Sequence, residues 1–497
     1  MEHTLMVRAF VSTGVEQDQF RDMEKVQNFI NGVYTDPIQG KYIDNVEPGT
    51  GKVFARIPDS TQEDLEQAVV AAKNAFPIWS SMSVDKRSRI LHKLADLIES
   101  NLDDLALMES RDNGKPLWLA KAVDIPRAST NFRFYASAIV NFSTEAQVSE
   151  GYMVNYTRRA PIGVVGCISP WNLPLYLFSW KIAPALAMGN CVVAKPSEIT
   201  PMTAFLLGKL ANEAGMPEGV LNILHGEGKT IGQAIVEHES TKAISFTGGT
   251  ATGKVVGATA SQQFKKVSLE LGGKNPNIIF ADCDLEEAVK TSVKSSFTNQ
   301  GEICLCGSRI LIEDVIYERF KERFLEECAK LKVGDPMDAS SNLGALVSEG
   351  HLNKVDSYVK LAKEEGGTIL HGGSRIDRDG FYYEPTIIEG LDEHCRTNQE
   401  EIFGPVVTLN KFQSEEEAID IANSTRYGLS CTLWTSDLKR AHRVSHAIKS
   451  GIIWVNCWLL RDLRTPFGGM KDSGIGREGG NEALRFFSEP QNICIKL

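Results

Sequence analysis

Four short apolar runs, at residues 162–168, 191–194, 220–224 and 243–246, are each bounded by Gly, Pro, Asn or Lys. Helical stretches at 201–214 and 230–238 lie between them. Strands buried on both faces read as continuous apolar runs, and parallel neighbours need a crossover of a dozen residues or more. The pattern predicts βαβ units around a parallel sheet, with ligands bound at the carboxyl ends of its strands. A second alternating region spans 272–472, with strand-like runs at 277–280, 309–313 and 452–456 and a helical run at 285–297. No repeat, low-complexity tract or Gly/Ser linker separates the two regions, so two α/β lobes that pack tightly and share a cleft are expected. The first third is more helical. Ser60-Thr-Gln-Glu63 has the form of a capping box, and Leu65, Ala68, Val69, Ala72 and Phe76 follow at helical spacing. Ile90, Leu91, Leu94, Leu97 and Ile98 mark a second amphipathic helix. Residues 141–160 alternate weakly and have no core of their own, so they need a partner surface.

Composition narrows the function. The chain has 497 residues, enough for several domains, with 64 acidic against 53 basic side chains and a formal net charge of −11. That balance makes a poor nucleic-acid binder. No apolar stretch of about 18 residues exists, so no membrane span is expected. The first 22 residues carry Glu2, Glu16, Asp18 and Asp22 and lack an apolar core. They read as an extension, neither a secretory nor a mitochondrial leader, and a cytoplasmic location is expected. The ten cysteines are scattered, which argues for free thiols in a reducing compartment. Cys304-Leu-Cys306 has the wrong spacing for a CxxC redox site and lacks a second ligand pair for zinc; no metal is expected.

Three segments carry chemistry. Phe297-Thr-Asn-Gln-Gly-Glu-Ile-Cys304 places a thiol after a Gly-containing turn. Only thiolate is a strong nucleophile, and an ordinary Cys is ~3% ionised at pH 7; a lone Cys is more often a small buried hydrophobe. Ser268-Leu-Glu-Leu-Gly-Gly-Lys-Asn-Pro276 sets Glu270 at a strand end with backbone close by, suited to a general base for water, although a Glu taken in isolation is more often solvated or salt-bridged. In Ile168-Ser-Pro-Trp-Asn-Leu-Pro174 two prolines pin the turn around Asn172, whose amide can donate to an oxyanion or simply suit the turn.

Together these segments resemble the aldehyde dehydrogenase superfamily over residues 26–497. Val193-Ala-Lys-Pro-Ser-Glu198, Ser245-Phe-Thr-Gly-Gly249, Glu400-Glu-Ile-Phe-Gly-Pro405 and Pro466-Phe-Gly-Gly469 match in the same order. The resemblance implies a Rossmann-type parallel-sheet NAD domain (25–140 and 161–271) and a second α/β catalytic domain (272–472). It also implies a small β oligomerisation element (141–160 and 487–497) that forms homodimers or homotetramers; residues 1–24 remain as an extension. Residues 492–497 alternate partly and are expected to add an edge strand to a neighbour. Cys304 then matches the nucleophile, Glu270 the base and Asn172 the oxyanion donor. Lys195 and Glu198 match positions on the adenosine ribose. Glu401 matches the carboxylate on the nicotinamide ribose, with Phe403 beside the ring, and Ser169, Trp171, Ser197 and Leu271 are implied as further cofactor contacts. Phe246, Gly248 and Gly249 lie in the turn toward the pyrophosphate. Two positions depart from the pattern: Gly249 stands where many relatives have Ser, and Glu302 where many have Gln. Glu198 favours NAD, because a carboxylate there repels a 2′-phosphate.

The substrate is read from two further positions. Arg127 and Arg461 match places on the family's substrate channel where relatives that take apolar aldehydes carry Met or aromatic residues. Two guanidinium groups suit a carboxylate several atoms from the aldehyde, unless Arg127 pairs with Asp124 and Arg461 with Asp462. The Asp-Ile-Pro-Arg127 and Cys-Trp-Leu-Leu-Arg461 segments look most like the muconic semialdehyde dehydrogenase branch. The expected reaction is oxidation of 2-aminomuconate 6-semialdehyde, in tryptophan breakdown through kynurenine. Its 2-hydroxymuconate analogue, from catechol meta-cleavage, and succinic semialdehyde are the alternatives within the class. A non-catalytic binding protein on the same fold is the alternative outside it, and esterase turnover a side activity.

Overall fold

The computed structural model describes residues 25–497, so the expected extension 1–24 lies outside the described residues. An eight-stranded sheet runs in the order Val33–Thr35, Asn28–Ile30, Leu221–Ile223, Cys191–Lys195, Val164–Ile168, Thr241–Thr247, Lys266–Glu270, Gly474–Ile475. Its five inner strands are parallel. In chain order they stand 3-2-1-4-5, so the winding reverses between Val164–Ile168 and Thr241–Thr247. That reversal opens a crevice at the carboxyl ends of both strands. Val164–Ile168 and Cys191–Lys195 are buried at every position, which is why their sequences are apolar without alternation.

A seven-stranded sheet follows, in the order Thr368–His371, Thr386–Glu389, Val406–Phe412, Gly307–Glu313, Asn275–Ile279, Ser430–Trp434, Ile452–Val455. All but the first pair are parallel. The helix expected at 285–297 is present as Leu285–Phe297, its Asp284 cap accepting from the Glu287 amide.

The third sheet joins Ala146–Ser149, Met153–Pro161 and Ser488–Lys496. The weakly patterned 141–160 segment thus finds its partner in the same chain, nine residues in register from Ser488↔Pro161 to Lys496↔Met153. The C-terminal strand therefore pairs first within its own chain and keeps one open edge among the described residues.

The first helix, Gln62–Ser81, corrects the expected capping box by one residue. Thr61 is the cap, and its amide donates to Asp64 Oδ2 at 2.8 Å. Ser60 cannot serve, because its hydroxyl is committed to Asn28 in both directions, at 2.8 and 3.0 Å.

Candidate active site

The cleft lies where carboxyl ends of the first sheet face amino ends of the second. Val164–Ile168 runs into Ser169, Trp171 and Asn172 before Pro174 opens the helix Pro174–Ala187. Thr241–Thr247 runs into Gly248 and Gly249, the cap of helix Thr250–Gln262. From the other lobe, Cys304 precedes Gly307–Glu313, and Glu401 and Phe403 precede Val406–Phe412. A cavity of about 230 Å³ lies between them. Trp171, Asn172, Gly248, Gly249, Leu271 and Cys304 face it, with His351, Lys354, Glu401 and Phe403 completing the wall.

The backbone before Cys304 is left-handed at three successive residues: Asn299 (φ 54°), Gln300 (φ 55°) and Gly301 (φ 73°). Such residues cost of order 1 kcal/mol or more each when they are not glycine, and persist only when surroundings hold them. Asn299 Nδ2 donates to the carbonyls of Asn172 (3.1 Å) and Glu302 (3.3 Å). Gln300 bridges Ala345 O and Gly344 N, each at 3.2 Å. Gly301 is required twice over, since a Cβ there would lie 2.3 Å from Gly404 O. Asn275 Nδ2 then clamps the carbonyls of Cys304 (2.7 Å) and Cys306 (2.9 Å). Burial pushes the half-buried Cys304 thiol up, reinforced by the Glu401 and Glu270 carboxylates and opposed by Arg461. This environment favours the thiol over the thiolate.

Asn172 Nδ2 donates to Glu302 O at 3.0 Å, which ties it to the same loop, and Asn172 lines the cavity together with Cys304. Glu270 is placed differently. Its carboxyl is 3% exposed, and neither oxygen has a partner. It sits in a layer behind the cavity wall, against Gly468, where a Cβ would come within 2.6 Å of Oε1. Burial pushes Glu270 well above the ordinary carboxylate range, and Glu478 adds to this while Lys181, Arg477 and Arg461 oppose it. Lys181 and Glu478 form a buried pair at 2.8 Å, joined by the Ser245 hydroxyl donating to Glu478 Oε1 at 3.3 Å. Neither was singled out from the sequence. Lys181 did leave a trace, as the one charge in an otherwise apolar helix.

Lys195 and Glu198, the two positions expected at the adenosine ribose, meet one strand away. Lys195 Nζ donates to Glu198 Oε2 and Pro196 O, both at 3.0 Å, and Glu198 Oε1 accepts from Gly228 N at 3.4 Å. Burial raises Glu198, but Lys195 and these hydrogen bonds outweigh it and hold the carboxylate below its usual range. Ser169 N donates to Lys195 O at 3.1 Å, while Ser197 Oγ accepts from Ile199 N at 3.3 Å. Under the cleft, the Phe246 ring fills the space a Cβ on Gly248 would need, at 2.5 Å, whereas nothing lies within 4 Å of a Cβ on Gly249. Glu401 Oε1 accepts from Gly273 N at 2.8 Å, and Gly272 lets it approach, since a Cβ there would lie 2.2 Å from Oε2. Phe403 (φ 63°) offers its carbonyl to His351 Nε2 at 2.6 Å. Trp171 meets both rings edge-on, at 5.1 and 5.2 Å. Burial lowers His351 to about 4, with Lys354 adding to it. His351 and Lys354 carried no motif and were missed.

Arg127 and Arg461 converge on one side chain. Arg461 Nη1 donates to Tyr176 Oη at 3.1 Å, and the Arg127 guanidinium lies 5.4 Å from the Tyr176 ring centre. Arg461 also lies over Phe467 at 4.0 Å and Trp180 at 5.1 Å. The acids that offered an alternative are engaged elsewhere: Asp124 with Lys115 at 2.8 Å and Asp462 with Arg464.

Comparison with known proteins agrees in extent. The profile described as the aldehyde dehydrogenase family matches residues 34–493. A Danio rerio protein named 2-aminomuconic semialdehyde dehydrogenase is 49% identical, over 95% of this chain and 98% of that protein. A protein of Pseudomonas sp. (strain CF600) named 2-hydroxymuconic semialdehyde dehydrogenase is 44% identical, over 96% of this chain and 100% of that one. A solved structure described as the NAD+ complex of an aldehyde dehydrogenase from Bacillus cereus superposes with a TM-score of 0.95 at 38% identity, covering 98% of this chain and 99% of that chain.

Proposed function

The chain belongs to the aldehyde dehydrogenase family, and from that premise we propose that it oxidises 2-aminomuconate 6-semialdehyde to 2-aminomuconate with NAD. The observation that carries the substrate class is the pair of guanidinium groups on Tyr176, whose neighbouring acids are committed to other partners. A partly buried cationic pair is costly unless an anion meets it. A carboxylate at the far end of the substrate would do so bidentately. The relatives named for 2-aminomuconic semialdehyde favour the amino substrate, and the 44% relative keeps the 2-hydroxy analogue as the second reading.

The residues fit the cofactor. Lys195 and Glu198 present a cation and a carboxylate where ribose hydroxyls would bind. Gly249 leaves the start of a 13-residue helix open to a pyrophosphate. Glu401 and Phe403 close the nicotinamide end. NAD supplies the hydride acceptor. Cys304 Sγ passes its proton to water in the cavity and bonds to the aldehyde carbon. The carbonyl oxygen becomes an alkoxide and receives hydrogen bonds from Asn172 Nδ2–H and the Cys304 N–H; one such donor contributes about 3–4 kcal/mol. Loss of hydride leaves a thioester on Cys304. Glu270, made more basic by burial than an ordinary carboxylate, takes a proton from water, the hydroxide attacks the thioester, the C–S bond breaks and the acid leaves.

The test is kcat/KM for the 2-amino and 2-hydroxy semialdehydes, succinic semialdehyde and an uncharged aldehyde, followed by NADH absorbance. The amino substrate is expected to lead. An uncharged aldehyde that matched it would remove the carboxylate reading, and absence of NADH with every aldehyde would remove the enzyme. The three-stranded sheet, with exposed Val148, Tyr152 and Ile495, supports assembly as a homodimer or homotetramer, which sedimentation would measure.

A further inference from the structure

We infer that Lys115 and Asp124, a buried ion pair behind the Asn172 turn, are positioning residues for the amide that receives the alkoxide. The inference rests on the reading of Asn172 given above and deepens it.

Both side chains are fully buried, with Nζ 2.8 Å from Oδ1. A buried pair rarely stabilises a fold better than apolar side chains of similar volume, so its presence asks for another reason. Lys115 supplies one. Its Nζ makes a second bond, 3.1 Å, to the backbone carbonyl of Asn172. That carbonyl also accepts from Asn299 Nδ2 at 3.1 Å, while the Asn172 side chain donates to Glu302 O at 3.0 Å. The residue that lines the cavity beside Cys304 is thus fixed from two directions. The nucleophile loop holds its amide, and Lys115 holds its peptide. Asp124 fixes Lys115 in turn.

The place of Asp124 in the chain adds a second link. It ends the π-helical stretch Ala120–Asp124, directly before the helix Ile125–Val140 that carries Arg127. Such widened turns recur where a helix must aim side chains at a site. One ion pair therefore joins the element bearing a carboxylate-binding guanidinium to the turn bearing the alkoxide donor, and holds the two ends of the substrate site in register. Glu109, the neighbouring buried carboxyl, ties the start of the helix that follows the turn to helix Met202–Glu213, accepting from Leu175 N at 3.3 Å and Thr203 Oγ1 at 2.7 Å.

Lys115→Met alone would strand the Asp124 carboxylate, so the decisive variant is Lys115→Met/Asp124→Asn, which removes both charges with little change of shape. Its kcat is expected to fall roughly 10²-fold, the loss typical of a displaced catalytic group. KM and NAD affinity should stay within about threefold, because the group acts in the transition state. In an Asn172→Ala background the same double change should cost less than about twofold, since residues acting as one unit are not additive. Asp124→Asn alone, the mildest variant, should show a smaller loss that also vanishes in that background. A double variant with the parent kcat, or an equal loss with and without Asn172, overturns the positioning role alone. An Asn172→Ala enzyme with undiminished kcat overturns the reading of Asn172 itself, and the inference with it.

Discussion

The two large sheets build the same cleft by opposite means. The first offers the carboxyl ends of five buried parallel strands, where the turns are short and one runs straight into a helix N-terminus. The second offers amino ends, reached through irregular chain with left-handed residues at Asn299, Gln300, Gly301 and Phe403. Regular strand ends fix positions through the backbone ladder itself. The irregular loop is held by side-chain bonds to backbone from Asn275, Asn299 and Gln300. The contrast teaches where strain is tolerated: on the lobe that presents Cys304, locked against the lobe that presents Asn172 and Glu198.

The largest expected effect tests the locked loop. Cys304→Ala should lower aldehyde oxidation by ~10⁴-fold or more, as loss of a nucleophile does. NAD binding, followed by protein fluorescence, should survive. Loss of both together would show that the loop also carries the cofactor site and would erase the contrast between the lobes.

Glu270 tests the first sheet, since it is the chemical group placed at a regular strand end. Glu270→Gln should reduce kcat ~10²–10³-fold while leaving the first turnover of NADH visible as a burst, because water attack follows hydride loss. Burial raises this carboxyl, so its ionised fraction, the form that accepts a proton from water, grows over a pH range shifted above that of an ordinary carboxylate. The parent kcat should therefore climb with pH over that range, and the Gln variant should lose that limb. An unchanged pH profile would remove Glu270 from the proton transfer.

The same contrast explains what could be read from the sequence. The apolar runs at 162–168 and 191–194 matched Val164–Ile168 and Cys191–Lys195 because burial on both faces is a local, continuous signature. The capping box slipped by one residue because Ser60 is taken by Asn28, 32 positions away. Cys304, Asn172 and Glu401, each carried by a local motif, line one cavity. Glu478 meets Lys181 across 297 residues, and Lys115 reaches Asn172 across 57. Contacts of that range leave no periodicity or turn chemistry to read. His351 likewise enters the wall from a helix whose own pattern speaks only of packing.

A smaller effect is expected from the guanidinium pair. Arg127→Ala and Arg461→Ala should each raise KM for a carboxylated semialdehyde ~10–100-fold, the value of a charge-assisted hydrogen bond. An uncharged aldehyde should be nearly unaffected. Arg461 also bears on the Cys304 and Glu270 electrostatics, so its loss should lower kcat as well, whereas Arg127 should act on KM alone. If the two variants behave alike with charged and uncharged aldehydes, the arginines serve packing against Tyr176 and not the substrate.

The smallest effect lies farthest from the chemistry, at Glu198. Its carboxylate is held ionised by Lys195 and stands where, in the proposal above, a ribose hydroxyl binds. Glu198→Gln keeps the shape and an acceptor for the hydroxyl but removes the charge that opposes a 2′-phosphate. It also frees the Lys195 cation to attract one. Affinity for NADP relative to NAD should then rise about tenfold, the scale of one partly screened charge interaction. The shift should appear in cofactor KM with kcat nearly constant, and should shrink in high salt. A ratio that does not move would place the discrimination in the shape of the strand end instead of its charge. A kcat that collapses would show that this regular edge of the first sheet reaches the reacting atoms after all.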